Sequence, residues 1–234
     1  MKYDVMVIAG TTEAREVIER QLKEKKTVLA TVATALGAEM LSSYKIDVHI
    51  GRLDEEGFIS LLKENPCEKI IDASHPFAKI VTDTVRHAAA VLGIPFERCE
   101  RCALEYTYER IVSVADAQQA AAYINQIEGN VLLTTGVNTA AVYASAVKEA
   151  KKRLYIRVLD TPASYAGCQE AGYPADHVFG EMPPYTVEDT LRLIEETKAA
   201  ALVSKDSGKT GGVDKKVEAC QRAGITCILI RRPE

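Results

Sequence analysis

Short apolar runs alternate with longer segments of helical periodicity along the whole chain, and this alternation restricts the fold more than any other feature. The runs VLATVA, KIIDA, VLLTT and AALVS carry apolar residues on both faces, as buried strands of a parallel sheet require. In residues 78–92, apolar side chains recur at spacings of three and four, which predicts a helix with one buried stripe. Strands are predicted near residues 3–9, 27–33, 46–50, 69–73, 94–98, 111–114, 131–135, 154–158, 177–179, 200–204 and 226–231. We therefore expect an α/β protein with mainly parallel sheets.

The two halves of the chain resemble each other in organisation. VLGIPFER (91–98) and RAGITCILIR (222–231) each show a helix end, a glycine, an isoleucine and a strand. One unit before each of them, a strand ends in a polar loop, IIDASHPFAK (70–79) or LVSKDSGKTGG (202–212). Because 234 residues suffice for two small domains, we predict domains at 1–105 and 106–234, joined by a linker near 99–112.

Charge and hydropathy exclude several classes of function. The 29 basic and 33 acidic residues leave a formal charge of −4, which argues against a general nucleic-acid or membrane surface. No run of eighteen apolar residues is present, so no membrane span is expected. The opening MKYDVMVIAG has the pattern of a strand rather than a secretory signal, which predicts a cytoplasmic protein whose six cysteines are reduced thiols.

Four polar loops follow predicted strands, at residues 9–15, 72–79, 134–139 and 204–212. Ligands of open parallel sheets bind outside the carboxyl ends of the strands, where helix N-termini offer free backbone N–H groups. The loops are rich in Ser, Thr, Gly, His and Lys. We expect the functional site to be built from them.

The first loop stands where a dinucleotide-binding fold places its pyrophosphate. It carries Gly10, Thr11, Thr12 and Glu13, but G-x-G-x-x-G would need glycines where Thr12 and Arg15 stand. The alternative is an ordinary helix start with Thr11 or Thr12 as N-cap. The GKT of the last loop is not a P-loop, because the required upstream glycine is replaced by Val203.

The second loop, DASHPFA, places Asp72, Ser74 and His75 at a strand end, and either a ligand-facing or a structural role is open for His75. No second histidine or carboxylate stands at metal-binding spacing, so no metal site is predicted. The single C-x-x-C, Cys99 to Cys102, is interpreted as buried or incidental thiols. Arg98 and Arg101 form a basic pair that is either a solvated surface or a binding site.

In this order, GTTEAR, DASHPFA, LLTTG, VSKDSGKTGGVDKKVEACQRAGI and the final IRRP closely resemble the precorrin-6A reductase family of cobalamin biosynthesis. The resemblance implies two Rossmann-like domains with the substrate in the cleft between them. It also implies transfer of a hydride from a reduced nicotinamide nucleotide to one double bond of a cobalt-free or cobalt-containing tetrapyrrole.

The resemblance also suggests roles for single residues. A polycarboxylate macrocycle would be held by Arg98, Arg101, Thr134, Thr135, Gly136, Lys205, Asp206, Ser207, Gly211 and Gly212. The dinucleotide would contact Gly10, Thr11, Thr12, Glu13, Thr34, Ser74 and His75, and Lys205 and His75 are the candidate catalytic residues. After the second strand, TVATALG offers neither an acidic residue for a ribose hydroxyl nor an arginine for a 2′-phosphate. The choice of NADPH over NADH therefore rests on the resemblance.

Two other functions remain open at this point. A cofactor-free cyclase of the uroporphyrinogen-III synthase type also has two α/β domains and a polycarboxylate substrate, but it would not bind dinucleotide. A non-catalytic dinucleotide sensor would leave the loops of the second half without a purpose. The expected partner is the tetrapyrrole alone, with a monomer or weak homo-oligomer in solution.

Overall fold

The structure is a computed structural model that describes residues 2–99 and 106–232. Arg101 and Cys102, for which the sequence predicts a substrate contact and a thiol, lie outside these residues. Contacts divide the chain into an N-terminal unit, Met1–Arg101, and a C-terminal unit, Cys102–Glu234. None of the helices in the described parts of the chain combines the length and apolar character needed to span a bilayer.

The N-terminal unit contains one parallel sheet between two layers of helices. Its strands are β1 (Tyr3–Ile8), β2 (Val28–Val32), β3 (Asp47–Ile50), β4 (Cys67–Asp72) and β5 (Phe96–Arg98). Its helices are α1 (Thr12–Lys23), α2 (Ala35–Glu39), α3 (Glu55–Glu64) and α4 (Lys79–Leu92). The strand order is β3-β2-β1-β4-β5, and every neighbouring pair is parallel.

The alternation along β1 explains why this sheet has two cores. Met6 and Ile8 belong to a cluster that includes apolar residues of α3 and α4, whereas Val5 and Val7 pack with those of α1. Burial on both faces removes apolar surface from water at roughly 25 cal/mol per Å². This arrangement requires the two-sided apolar runs seen in the sequence.

The C-terminal unit also contains one parallel sheet. Its strands are β6 (Ile111–Val114), β7 (Asn130–Leu133), β8 (Leu154–Val158), β9 (Val178–Gly180), β10 (Ala199–Lys205) and β11 (Thr226–Ile230). Its helices are α5 (Ala117–Ile124), α6 (Ala140–Ala146), α7 (Ala150–Arg153), α8 (Pro162–Glu170), α9 (Val187–Thr197) and α10 (Val213–Ala223). The order is β6-β11-β10-β7-β8-β9, again parallel throughout.

The two sheets share one topology. From β9 to β11 the second sheet repeats the order of the first, with β7 in the place of β1 and β10 in the place of β4, and β6 is added at the edge. The helices before β5 and β11 both end at a left-handed glycine, Gly93 and Gly224, each with φ of +67°. The predicted α/β class and the repeated architecture are confirmed.

Each sheet reverses its strand order at one point, between β1 and β4 in the first and between β7 and β10 in the second. Open α/β sheets bind ligands at this point, outside the carboxyl ends of the strands. The four polar loops lie there in pairs. They are named the β1 loop (9–15), the β4 loop (72–79), the β7 loop (134–139) and the β10 loop (204–212).

Candidate functional site

The β1 loop has the geometry of an anion site at a helix N-terminus. Gly10 has φ of +110°, and a Cβ added to it would meet no atom within 4 Å, so open space adjoins the turn. The Thr11 hydroxyl oxygen caps α1 by accepting a hydrogen bond from the Ala14 N–H at 3.1 Å. Thr12 is exposed and Glu13 lies in the first turn of α1. The turn, the cap and the helix start fit a pyrophosphate.

The β4 loop is organised around a buried carboxylate. Asp72 is 0% exposed, and its Oδ1 accepts the Ser74 N–H at 2.9 Å. Its Oδ2 accepts the Thr82 hydroxyl at 2.7 Å and also contacts the Arg98 guanidinium. These bonds fix the loop backbone next to the β1 loop, because the Thr11 hydroxyl donates to the Ala73 carbonyl at 2.7 Å.

The Arg98 contacts bear on its predicted substrate role. Its Nη1 binds Asp72 and Thr82 and lies 3.3 Å from the Ser74 hydroxyl oxygen. Arg98 therefore neutralises a buried acid of its own unit, at the end of β5. Its contact with substrate stays a prediction.

His75 lies half-buried in the β4 loop. Its Nδ1 accepts the Phe77 N–H at 3.2 Å, so a neutral ring carries its proton on Nε2. The Ala78 N–H donates to the His75 carbonyl at 2.8 Å, and this turn delays the start of α4 to Lys79, beyond Pro76. The ring is thus oriented by the loop backbone.

Thr34 stands at the carboxyl end of β2, where it caps α2 by accepting the Gly37 N–H at 3.1 Å.

A groove of about 520 Å³ lies at the amino ends of the strands of the same sheet, away from the polar loops. Its lining includes Lys2, Tyr3, Lys26, Thr27, Tyr44, Lys45 and Asp47. None of the predicted site residues lines this groove.

In the C-terminal unit, the β7 loop is tied to β10. The Thr134 N–H and hydroxyl both donate to the Val203 carbonyl, at 2.9 and 2.8 Å. The Thr139 hydroxyl donates to Thr135 at 2.9 Å. Gly136 has φ of +78° and open space where a Cβ would lie, as Gly10 has in the first unit.

Lys205 lies near the start of the β10 loop, and burial lowers its pKa. Asp206 accepts the Tyr106 hydroxyl on Oδ1 at 3.1 Å and the Arg232 Nε–H on its carbonyl at 2.9 Å. Ser207 is buried, and its N–H donates to the Lys205 carbonyl at 2.8 Å. Gly211 and Gly212 close the turn before α10.

Two buried cations of the C-terminal unit are absent from the residues predicted from sequence. Lys216 of α10 is 7% exposed, and its ammonium donates to the Ser204 hydroxyl at 3.2 Å and the Gly211 carbonyl at 3.4 Å. Burial, reinforced by the charge of Arg157, lowers the pKa of Lys216 to about 7.

Arg157 of β8 is 3% exposed and lies over the Tyr185 ring, 4.0 Å from its centre. It also contacts Glu181 at 3.7 Å, and burial lowers its pKa. Sequence signals exist for both cations. Lys216 interrupts the apolar stripe of α10, and Arg157 interrupts the apolar strand LYIRV.

Metal binding finds no support among the described residues, which contain no group of three His, Cys, Asp or Glu suited to hold an ion. Cys67, Cys168, Cys220 and Cys227 are buried free thiols and Cys99 is partly buried. The absence of a metal stays a prediction.

Comparison with known proteins identifies one family. The family model described as precorrin-6x reductase CbiJ/CobK matches residues 4–234. The cobalt-precorrin-6A reductase of Priestia megaterium is 34% identical over 231 residues, covering 98% of this chain and 91% of the relative. That of Salmonella typhimurium strain LT2 is 32% identical over 238 residues, covering 98% and 88%.

A solved structure of the CobK precorrin-6A reductase has the same fold. It aligns with a TM-score of 0.79 and 22% sequence identity, covering 99% of this chain and 88% of that one. The family model spans both units, and the two relatives exceed 30% identity over almost the entire chain. The chain therefore belongs to the precorrin-6x reductase CbiJ/CobK family.

Proposed function

We propose that this chain is an NADPH-dependent reductase that adds a hydride and a proton across one double bond of a precorrin-6A-type macrocycle. The observation that carries the proposal is the family match over residues 4–234, because it includes the loops at both points of strand-order reversal. The two relatives described above are named for cobalt-precorrin-6A. We therefore propose the cobalt-containing macrocycle as the first substrate to test.

The N-terminal unit would bind the dinucleotide, which supplies the hydride. Support comes from the open space at Gly10, where an added Cβ would meet no atom within 4 Å, and from the capped start of α1. Thr12 and Glu13 would contribute backbone N–H groups of the first turn. Ser74 and His75 would border the same site, because the Thr11–Ala73 hydrogen bond joins the two loops.

The C-terminal unit would bind carboxylates of the macrocycle. Lys205, Lys216 and Arg157 concentrate positive charge at the carboxyl ends of its strands, with Ser207 as a hydroxyl donor. Thr134 would line the site without donating to substrate, because its N–H and hydroxyl already donate to the Val203 carbonyl. A carboxylate beside partly desolvated ammonium groups forms stronger charge-assisted hydrogen bonds than one at an open surface. Lys205 would pair with substrate at the end of β10.

One proton must reach the macrocycle for each hydride added. We propose His75 and Lys205 as the side chains that supply it, because each lies at a strand end and each can carry a transferable proton. For His75, the Phe77 N–H bound to Nδ1 leaves the proton on Nε2.

The test is consumption of NADPH in the presence of the macrocycle. Wild-type protein should lose the absorbance of the reduced nicotinamide only when cobalt-precorrin-6A or precorrin-6A is added, with faster turnover of the cobalt form. A cyclase-type protein would bind neither NADPH nor NADH in a fluorescence titration, and a dinucleotide sensor would bind without consuming either. No consumption with either macrocycle would contradict the proposal.

A further inference from the structure

The carboxyl end of β2 carries no charged group that could select a cofactor. Ala33, Thr34 and Ala35 follow Val32, and the Thr34 hydroxyl oxygen already accepts the Gly37 N–H. In dinucleotide-binding folds, an acidic residue here binds the ribose 2′-hydroxyl, and an arginine nearby accommodates a 2′-phosphate. A group that selects the cofactor would therefore come from another segment.

The neighbouring strand brings an arginine to this position. Val32 pairs with Ile50 in the parallel register of β2 and β3, and the Gly51 N–H donates to the Val32 carbonyl at 2.9 Å. Arg52 follows at once. Arg52 thus lies at the carboxyl ends of the strands, as Thr34 does, but one strand further from β1.

Arg52 is also available to a ligand. It is exposed, and within residues 2–99 and 106–232 it takes part in no hydrogen bond or ion pair. Two of the acidic residues that follow have other partners. Asp54 caps α3 by accepting the Gly57 N–H at 2.9 Å, and Glu55 contacts His87 at 2.8 Å.

We propose that Arg52 binds the 2′-phosphate of the cofactor and so makes the protein prefer NADPH to NADH. The inference rests on the proposed dinucleotide function of the N-terminal unit. A guanidinium presents parallel N–H donors that match phosphate oxygens, whereas it gains little from a ribose hydroxyl. Two features therefore favour the phosphorylated cofactor: Arg52 lies beside the end of β2, and that end lacks an acidic residue for a free ribose hydroxyl.

The test compares the affinities of both cofactors for Arg52→Met. Fluorescence titration should show a dissociation constant for NADPH raised roughly 10- to 100-fold, as expected for a lost charged hydrogen bond. The constant for NADH should change less than about twofold, because that cofactor lacks the phosphate. Arg52→Lys, which keeps the charge without the fork, should give an intermediate NADPH affinity.

Arg20→Met is the matched control. Arg20 is an exposed arginine in the last turn of α1, at the end of the helix opposite the β1 loop, and its loss removes the same charge. It should leave both affinities unchanged. Calorimetry with adenosine 2′,5′-bisphosphate and AMP should show the same selective loss in Arg52→Met, independently of the nicotinamide.

The outcomes separate the inference from the function on which it rests. Unchanged NADPH affinity in Arg52→Met, or equal weakening of both cofactors, would refute the role of Arg52 and leave the reductase function standing. Wild-type protein that binds NADPH and NADH equally well would do the same. Wild-type protein that binds neither would overturn the proposed function together with the inference.

Discussion

Replacing Lys216 by methionine should remove a pH dependence of stability that this side chain imposes on the C-terminal unit. Its ammonium is buried and donates only to neutral oxygens, of Ser204 and Gly211, in the described residues. The charged groups around it are Arg157 on β8 and Lys205 on β10, both of which lower its pKa. The thiols of Cys220 on α10 and Cys227 on β11 act in the opposite direction.

The magnitude follows from the difference between the folded and unfolded pKa values of Lys216. The value falls from 10.5 to about 7 on folding, so the unfolded chain binds the proton more tightly. Since each unit corresponds to about 1.4 kcal/mol, charging Lys216 in the folded protein costs about 5 kcal/mol. This cost is fully present below pH ~7 and is relieved as the pH rises toward 10.5. Between pH ~6 and ~9, stability should rise by about 3 kcal/mol from this group alone.

Urea unfolding at these two pH values, for wild type and Lys216→Met, measures the effect. The loss of the hydrogen bonds to Ser204 and Gly211 does not depend on pH and cancels in the double difference. Wild type should gain about 3 kcal/mol relative to the variant between the two pH values. Lys215→Met is the control, because Lys215 is the exposed neighbour on the same helix and its replacement removes the same charge. Parallel pH profiles for wild type and Lys216→Met would refute the reasoning.

Three further predictions concern the two candidate sites. Gly10→Val should abolish dinucleotide binding in a fluorescence titration, because valine disfavours a φ of +110° and its side chain would enter the open space that the pyrophosphate needs. The circular dichroism spectrum should be retained, and unchanged affinity would place the pyrophosphate elsewhere. Lys205→Met should raise the Michaelis constant for the macrocycle if the ammonium only anchors substrate, or lower kcat by roughly 10²-fold if the ammonium stabilises or protonates the transition state. Wild-type kinetics in this variant would remove Lys205 from the site. Asp72→Asn should lower the free energy of unfolding in urea by about 3 kcal/mol, because Arg98 loses its buried counter-ion. Asp83→Asn, at the exposed pair with Arg86, should lower it by less than about 1 kcal/mol, and equal effects would contradict a special role for the buried pair.

The fold class could be predicted from the sequence because it depends on patterns within single segments. An apolar run buried on both faces has the same composition wherever its strand lies in the sheet. All eleven predicted strands are present, and their ends differ from the prediction by two residues at most. The four polar loops could be located for the same reason, since each directly follows such a run.

The pairing of those loops depends on strand order, which local patterns do not encode. The β1 and β4 loops are joined by the Thr11–Ala73 hydrogen bond, across 62 positions of sequence. The β7 loop is joined to strand β10, directly before the β10 loop, through Thr134 and Val203, which are 69 positions apart. Both contacts exist because the strand order reverses at β1/β4 and at β7/β10.

The sequence by itself determined that the chain alternates strands and helices and that its polar residues cluster after strands. Only the tertiary structure decided which charges are buried and which lie beside a neighbouring strand. Arg98 pairs with Asp72 through the β4–β5 register, and Arg52 reaches the end of β2 only because β3 lies next to it. Lys216 visibly interrupts an apolar stripe, but its desolvation depends on elements packed around α10 from β8, β10 and β11. A local pattern reports which face a residue occupies, whereas the chemistry of a site is set by neighbours that are distant in sequence.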